Sequence, residues 1–153
     1  MKLQRLDHFT LRTTRLEQTR AFYERIAGLR QGPRPPFAFP GHWLYLGDLP
    51  VLHLAAPALD AALEGYLGRR AGAEAGGTGA VDHIAFRGLD LPSFEHRLRG
   101  EGCHYRGRTV PEAGEHQVFL SDPNGVTVEF IFPSTETASW QGLEPTHQEE
   151  ETS

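Results

Sequence analysis

Two histidines stand at the same place in a repeated phrase. LDHFTLR at 6–12 returns as VDHIAFR at 81–87, so His8 and His83 each take the third position of one short strand pattern. Two further metal-competent side chains close the same repeats, His53 in VLHL and Glu129 in TVEF. Aligning His42–Asp48 with His116–Asp122, then allowing two extra turn residues, brings Val51–Leu54 onto Thr127–Phe130, so His53 and Glu129 are equivalent positions. Three imidazoles and one carboxylate suit a borderline divalent ion such as Zn, Fe, Ni, Co or Mn. A strand-centre histidine taken alone is more often a hydrogen-bonded structural residue, but four such residues at repeat-equivalent positions shift the balance toward a metal. Glu129 lies in the apolar context TVEFIF, where burying a carboxylate without a cation or other partner is costly. His8, His83 and Glu129 are therefore the expected ligands, with His53 as fourth ligand or as base.

The elements that must position them follow from periodicity. Residues 6–12 alternate as a strand, with Leu6, His8, Thr10 and Arg12 on one face and Asp7, Phe9 and Leu11 on the other, Phe9 and Leu11 toward the core. LEQTRAFYERIA (16–27) carries Leu16, Thr19, Phe22, Tyr23 and Ile26 at helical spacing and stops at Gly28. After the Pro-rich loop GPRPPFAFPG come two strands about the turn Gly47-Asp48-Leu49-Pro50. The second half repeats that order: strand VDHIAFR, helix LPSFEHRLRGEG, and HQVFLSDPNGVTVEFIFP as two strands about Asp122-Pro123-Asn124-Gly125. Further strands are predicted near the Pro-rich loop and around Cys103 to Arg108. The repeat is thus a β-α-β-β-β unit. Packed about a pseudo-twofold, two units bring His8, His53, His83 and Glu129 to one cleft.

The remaining residues bound the function. The sequence has 39% apolar residues in 153, with no run long enough for a membrane span. No signal peptide pattern opens it, and the expected compartment is the cytoplasm. Cys103, the single cysteine, excludes an internal disulfide and a cysteine zinc site and is expected as small buried filler. The formal charge of −5 comes from the end of the chain: residues 134–153 hold five acids and no Lys or Arg, leaving 15 acids against 15 bases. A neutral body gives no electrostatic footprint for nucleic acid or an anionic membrane. The last twenty residues read as a frayed acidic tail, with docking of Trp140 the minor alternative. His42, His96, His104, His116 and His147 default to the surface. ALDAALEGYL (58–67) is amphipathic, and the glycine-rich run after it reads as a linker, since it lacks the Lys-Ser/Thr of a phosphate loop.

On these residues the chain resembles the vicinal oxygen chelate superfamily of glyoxalases, epimerases, fosfomycin- and bleomycin-resistance proteins and extradiol dioxygenases. The likeness is carried by LDHFTLR, AFYERIAGL, GTGAVDHIAF and FLSDPNGVTVEF and covers about residues 3–133. It implies an α+β fold of two tandem βαβββ modules forming a cup-shaped mixed sheet, with module one at 3–57, a linker helix and Gly-rich loop at 58–79, and module two at 80–133. It implies a divalent metal held by His8, His83 and Glu129, with Glu129 also catalytic, and a homodimer; His53, at the fourth repeat position, is expected from its residue type as ligand or catalytic base. His53 departs from the glutamate of glyoxalase I-like members and the glutamine of the epimerases. Phe119 stands where ring-cleaving members carry a catalytic tyrosine, and those members place a histidine further upstream than His116.

By the resemblance, the metal holds two neighbouring oxygens of a small-molecule substrate. By strand alternation Trp43, Tyr45 and Phe119 face the cleft as apolar walls, and Arg12 and Arg87 stand at its rim, able to hold a carboxylate or phosphate. Glyoxalase-like lyase or isomerase chemistry leads. A small Fe(II) extradiol dioxygenase is the alternative reaction. A bleomycin-resistance-like binding protein, which sequesters a ligand without metal chemistry, is the alternative of another class.

Overall fold

The computed structural model describes residues 1–2, 4–56 and 81–141. The amphipathic stretch 58–67, the glycine-rich linker and residues 142–153 lie outside the described residues. The elements are β1 (Phe9–Arg12), α1 (Leu16–Arg25), β2 (Arg30–Gly32), β3 (Gly41–Leu46), β4 (Leu49–Ala55), β5 (His83–Arg87), α2 (Leu91–Gly100), β6 (Arg106–Val110), a 3-10 turn (Pro111–Ala113), β7 (Glu115–Ser121) and β8 (Thr127–Pro133). They form two four-stranded sheets, ordered β1-β4-β3-β2 and β5-β8-β7-β6. The two orders are one order, so the repeat in the sequence is a repeat of topology: two tandem βαβββ modules. The extra strands predicted in each half are β2, just before the Pro-rich loop, and β6. Among the described residues no helix is long and apolar enough to cross a membrane.

By its contacts the chain divides into one unit of Met1–Ile84 with Leu120–Val128 and a second of Ala85–Phe119 with Glu129–Ser153. In the first, β1 runs parallel to β4 while β2, β3 and β4 alternate direction. Leu44, Leu52 and Leu54 are buried on one side of this sheet, as are Tyr23, Ile26 and Leu29 of α1 and its end. Gly28, at φ 71°, takes the left-handed turn that ends the helix and lets the Leu29 amide close onto the Tyr23 carbonyl at 3.1 Å. The turn Asp122-Pro123-Asn124-Gly125 belongs to this unit. Asp122, 5% exposed, accepts from the Tyr23 hydroxyl (3.0 Å) and from the amides of Asn124 and Val126 (2.7 and 2.9 Å). Asn124 accepts from the Thr13 hydroxyl and donates to that of Thr19.

In the second unit α2 lays Phe94 against Phe130 and Phe132, ring centroids 4.7 and 5.3 Å apart, with Leu91 and Leu98 fully buried. The helix closes in a Schellman motif about Gly102 (φ 67°), the Cys103 amide bonding Leu98 and the Gly102 amide Arg99. Cys103 is half-buried. The chain beyond residue 133, expected to fray from there, is instead packed as far as residue 141. The Glu136 carboxylate accepts from the Asp90 and Leu91 amides, satisfying the open N-terminus of α2. Ser139 bonds the buried Glu95 through its amide and hydroxyl. Trp140 covers Gly107, where any Cβ would collide with the indole, and donates its N–H to the Thr109 hydroxyl at 3.0 Å. These partners come from elements far away in sequence, which is why composition alone read the segment as tail.

His116 is the second correction. Expected at the surface, it is fully buried, because the docked segment satisfies one ring nitrogen and β6 the other. The Glu136 carbonyl takes the Nε2 proton at 2.9 Å, and Nδ1 meets the Thr109 hydroxyl at 2.9 Å.

Candidate functional site

In the first sheet His53 is the centre of a cross-strand row. The register pairs it with Thr10 on β1 and Trp43 on β3, and paired residues project to the same side. The neighbours Leu52 and Leu54 fill the core side, so alternation puts His53 on the opposite face. There its ring lies between two others: Trp43 stacks on it at 4.0 Å and 6°, and His8 at 3.8 Å and 17°. The Pro-rich loop continues this aromatic surface. Phe37 and Phe39 stack at 5.2 Å and pack on Ala55, and the Arg34 guanidinium lies over both rings.

His53 is only 7% exposed, and its Nε2 is buried with no hydrogen-bond partner. Its ring also bonds the backbone of Pro50; proline offers only a carbonyl, so Nδ1 is the donor and Nε2 carries the lone pair. A buried polar nitrogen left unmatched costs about 1–3 kcal/mol, which a metal ion or a ligand proton would offset. Burial, and next the neighbouring His8, pull its pKa down to about 4.

His53 is therefore neutral at pH 7, and its titration destabilises the fold in acid. The unfolded imidazole binds a proton below about pH 6.5 and the folded one only below about 4. Unfolding free energy of the metal-free protein should fall across that window, by at most about 3 kcal/mol, and be flat with respect to this group above it. Urea titrations at pH 7.5, 5.5 and 4.5 on wild type and His53→Gln check this; equal slopes in the two proteins would discard it.

In the second repeat Glu129 lies on β8 between the buried Val128 and Phe130 and is itself 5% exposed. Alternation points it away from the side on which Phe130 meets Phe94. His83 opens β5, its Nδ1 at 2.7 Å from an Asp82 carboxylate oxygen, as His8 Nδ1 is from Asp7. The four candidates thus come from the corresponding strands β1, β4, β5 and β8 or their edges. Among the described residues no three His, Cys, Asp or Glu side chains gather closely enough to hold a metal ion. Of the four, His8 and His53 are stacked ring on ring. The donor chemistry nonetheless fits a divalent ion: an orphaned imidazole nitrogen at His53, and Nδ1 atoms engaged by carboxylates at His8 and His83.

The remaining predicted site residues divide by their partners. Trp43 forms the wall on His53. Tyr45 lies over Gly32 and donates its hydroxyl to the Pro33 carbonyl at 2.5 Å, fastening the Pro-rich loop. Arg12 has a buried Nε with no hydrogen-bond partner. Arg87 bonds Glu115 at 2.6 Å, which holds that carboxyl below its ordinary range. Phe119 lies under two guanidinium groups, Arg106 at 5.2 Å and Arg108 at 5.0 Å. Sequence reasoning missed Asp7 and Asp82 as partners of the histidines. The signal is in the sequence, since both repeats write Asp-His, but the alternation over 6–12 places Asp7 in a strand that begins only at Phe9.

No family model matches the chain, and no curated protein matches it. Solved structures do. Lactoylglutathione lyase from Agrobacterium tumefaciens superposes with a TM-score of 0.62 at 19% identity, over 86% of this chain and 96% of that one. The fosfomycin resistance protein FosX from Listeria monocytogenes gives 0.61 at 16%, over 86% and 94%. An antibiotic binding protein from a Streptomyces species gives 0.59 at 16%, over 87% and 98%. At these identities the likeness is one of fold.

Proposed function

We propose that this chain, built on the glyoxalase-like fold, is a divalent-metal-dependent enzyme acting on a small molecule with two neighbouring oxygens, by lyase or isomerase chemistry. The ligands are His8, His53, His83 and Glu129. The observation that carries this is His53 Nε2: a buried and unpartnered nitrogen in a ring stacked against a second imidazole. A bound divalent ion supplies Lewis-acid stabilisation of charge developing on the substrate oxygens, on the order of several kcal/mol.

The chain's own residues do the rest. Neutral His53 ligates or accepts a proton; Glu129, held on an apolar strand, ligates or carries the transferred proton. Trp43 and Phe119 exclude water. Tyr45 contributes its ring, its hydroxyl being committed to Pro33. Arg12 and Arg87 take an anionic substrate group, which at Arg87 displaces Glu115. The working form is a cytoplasmic homodimer that binds neither nucleic acid nor membrane.

Metal analysis by plasma mass spectrometry on untagged protein tests the proposal. One equivalent of Ni, Zn, Co or Mn per chain, with turnover in hemithioacetal or epimerase assays, is the expected result. Iron with oxygen uptake on catechols would establish the dioxygenase alternative. No metal after reconstitution would overturn the enzyme reading. The reading then favoured is a sequestering binder, which the aromatic row of His8, His53 and Trp43, with Phe37 and Phe39 beside it, supports.

A further inference from the structure

The Asp-His phrase occurs once in each repeat, and in each the aspartate makes the same contact. Asp7 Oδ2 lies 2.7 Å from His8 Nδ1, and Asp82 Oδ2 lies 2.7 Å from His83 Nδ1. Neighbouring residues of a regular strand point to opposite faces and do not meet in this way. The contact is possible because each aspartate precedes the strand: β1 starts at Phe9 and β5 at His83. In the first repeat Arg5 donates to the other carboxylate oxygen, Oδ1, at 3.1 Å, so Asp7 is itself oriented. The third imidazole reaches the same condition by another route, its Nδ1 proton lying on the Pro50 carbonyl.

The geometry points to Asp7 and Asp82 as positioning residues, each holding its neighbour's proton on Nδ1 so that the lone pair is carried by Nε2. An isolated neutral imidazole divides its proton between the two nitrogens. An ionised carboxylate can only accept, so it selects the Nδ1–H form and fixes the ring's rotation. This assignment rests on the reading of His8 and His83 as ligands, but its own content is the tautomer, which exists without metal. Outer partners of this kind raise metal affinity by about 10–100-fold.

The test is long-range proton–nitrogen correlation on metal-free protein at pH 8, with His8 and His83 signals assigned from His8→Gln and His83→Gln. Wild type should show both rings protonated on Nδ1. Asp7→Ala should move His8 toward the Nε2–H form, Asp82→Ala should do the same for His83, and the asparagine variants, whose amide oxygen still accepts, should restore the wild-type pattern. Cobalt(II) affinity by absorption titration should fall about 10–100-fold in each alanine variant and recover in the asparagine variant. Wild-type tautomers in the alanine variants, or unchanged cobalt affinity with altered tautomers, would overturn the assignment. A wild type that binds no cobalt yet shows the Nδ1–H pattern lost in the alanine variants would instead overturn the ligand reading alone.

Discussion

Glu129→Ala is expected to give a folded protein that purifies without metal and turns over at least about a thousandfold more slowly than wild type. The argument is one of charge. Glu129 is the single anionic donor of the proposed set, and removing it leaves three neutral imidazoles to hold a dication with no compensating charge. Folding should survive, since a carboxylate buried at 5% exposure costs desolvation that alanine does not. His83→Ala should behave alike. Producing the Glu129→Ala and His8→Ala chains together separates two assemblies. Return of about a quarter of the wild-type metal and turnover, one intact site in each of the half of the dimers that are mixed, would mean that the site is shared between two copies; no return would mean that it is built within one. If Glu129→Ala alone retains a full equivalent of metal, the ligand assignment is wrong.

The largest expected loss of stability lies at Asp122. Asp122→Ala should lower the unfolding free energy by about 3–5 kcal/mol in urea titrations, well beyond an ordinary surface substitution. Its carboxylate accepts from Tyr23, Asn124 and Val126, and two of those donors are out of reach of water: Tyr23 is fully buried and Val126 2% exposed. Burial, and next the charge of Asp122, push the Tyr23 phenol above its ordinary range, so its proton stays available to donate. Removing the acceptor therefore leaves a buried hydroxyl and a buried amide unmatched. Tyr23→Phe removes one of these bonds together with its donor and should cost only about 1–2 kcal/mol. Equal losses in the two variants would show that the carboxylate does not organise the turn.

The fold was legible in the sequence because its determinants are local. Alternation in GHWLYL and TVEFIF, the helical spacing of Leu16, Thr19, Tyr23 and Ile26, and the glycines that end both helices act within a few residues, and writing the pattern twice made the repeat visible. The proposed donors His8, His53, His83 and Glu129 could be named from the sequence for the same reason: repeat position and residue type are properties of the chain alone.

What tertiary structure decided is which polar groups find partners. That His116 is a core residue, that Trp140 seats on Gly107, and that DPNG is bolted by Asp122 to Tyr23 depend on side chains brought together from distant parts of the chain. The stack of His53 between His8 and Trp43 likewise needs the parallel register of β1 on β4, which periodicity does not specify. Local pattern fixes which face a residue takes, whereas the partner on that face is set by pairing and packing over long separations.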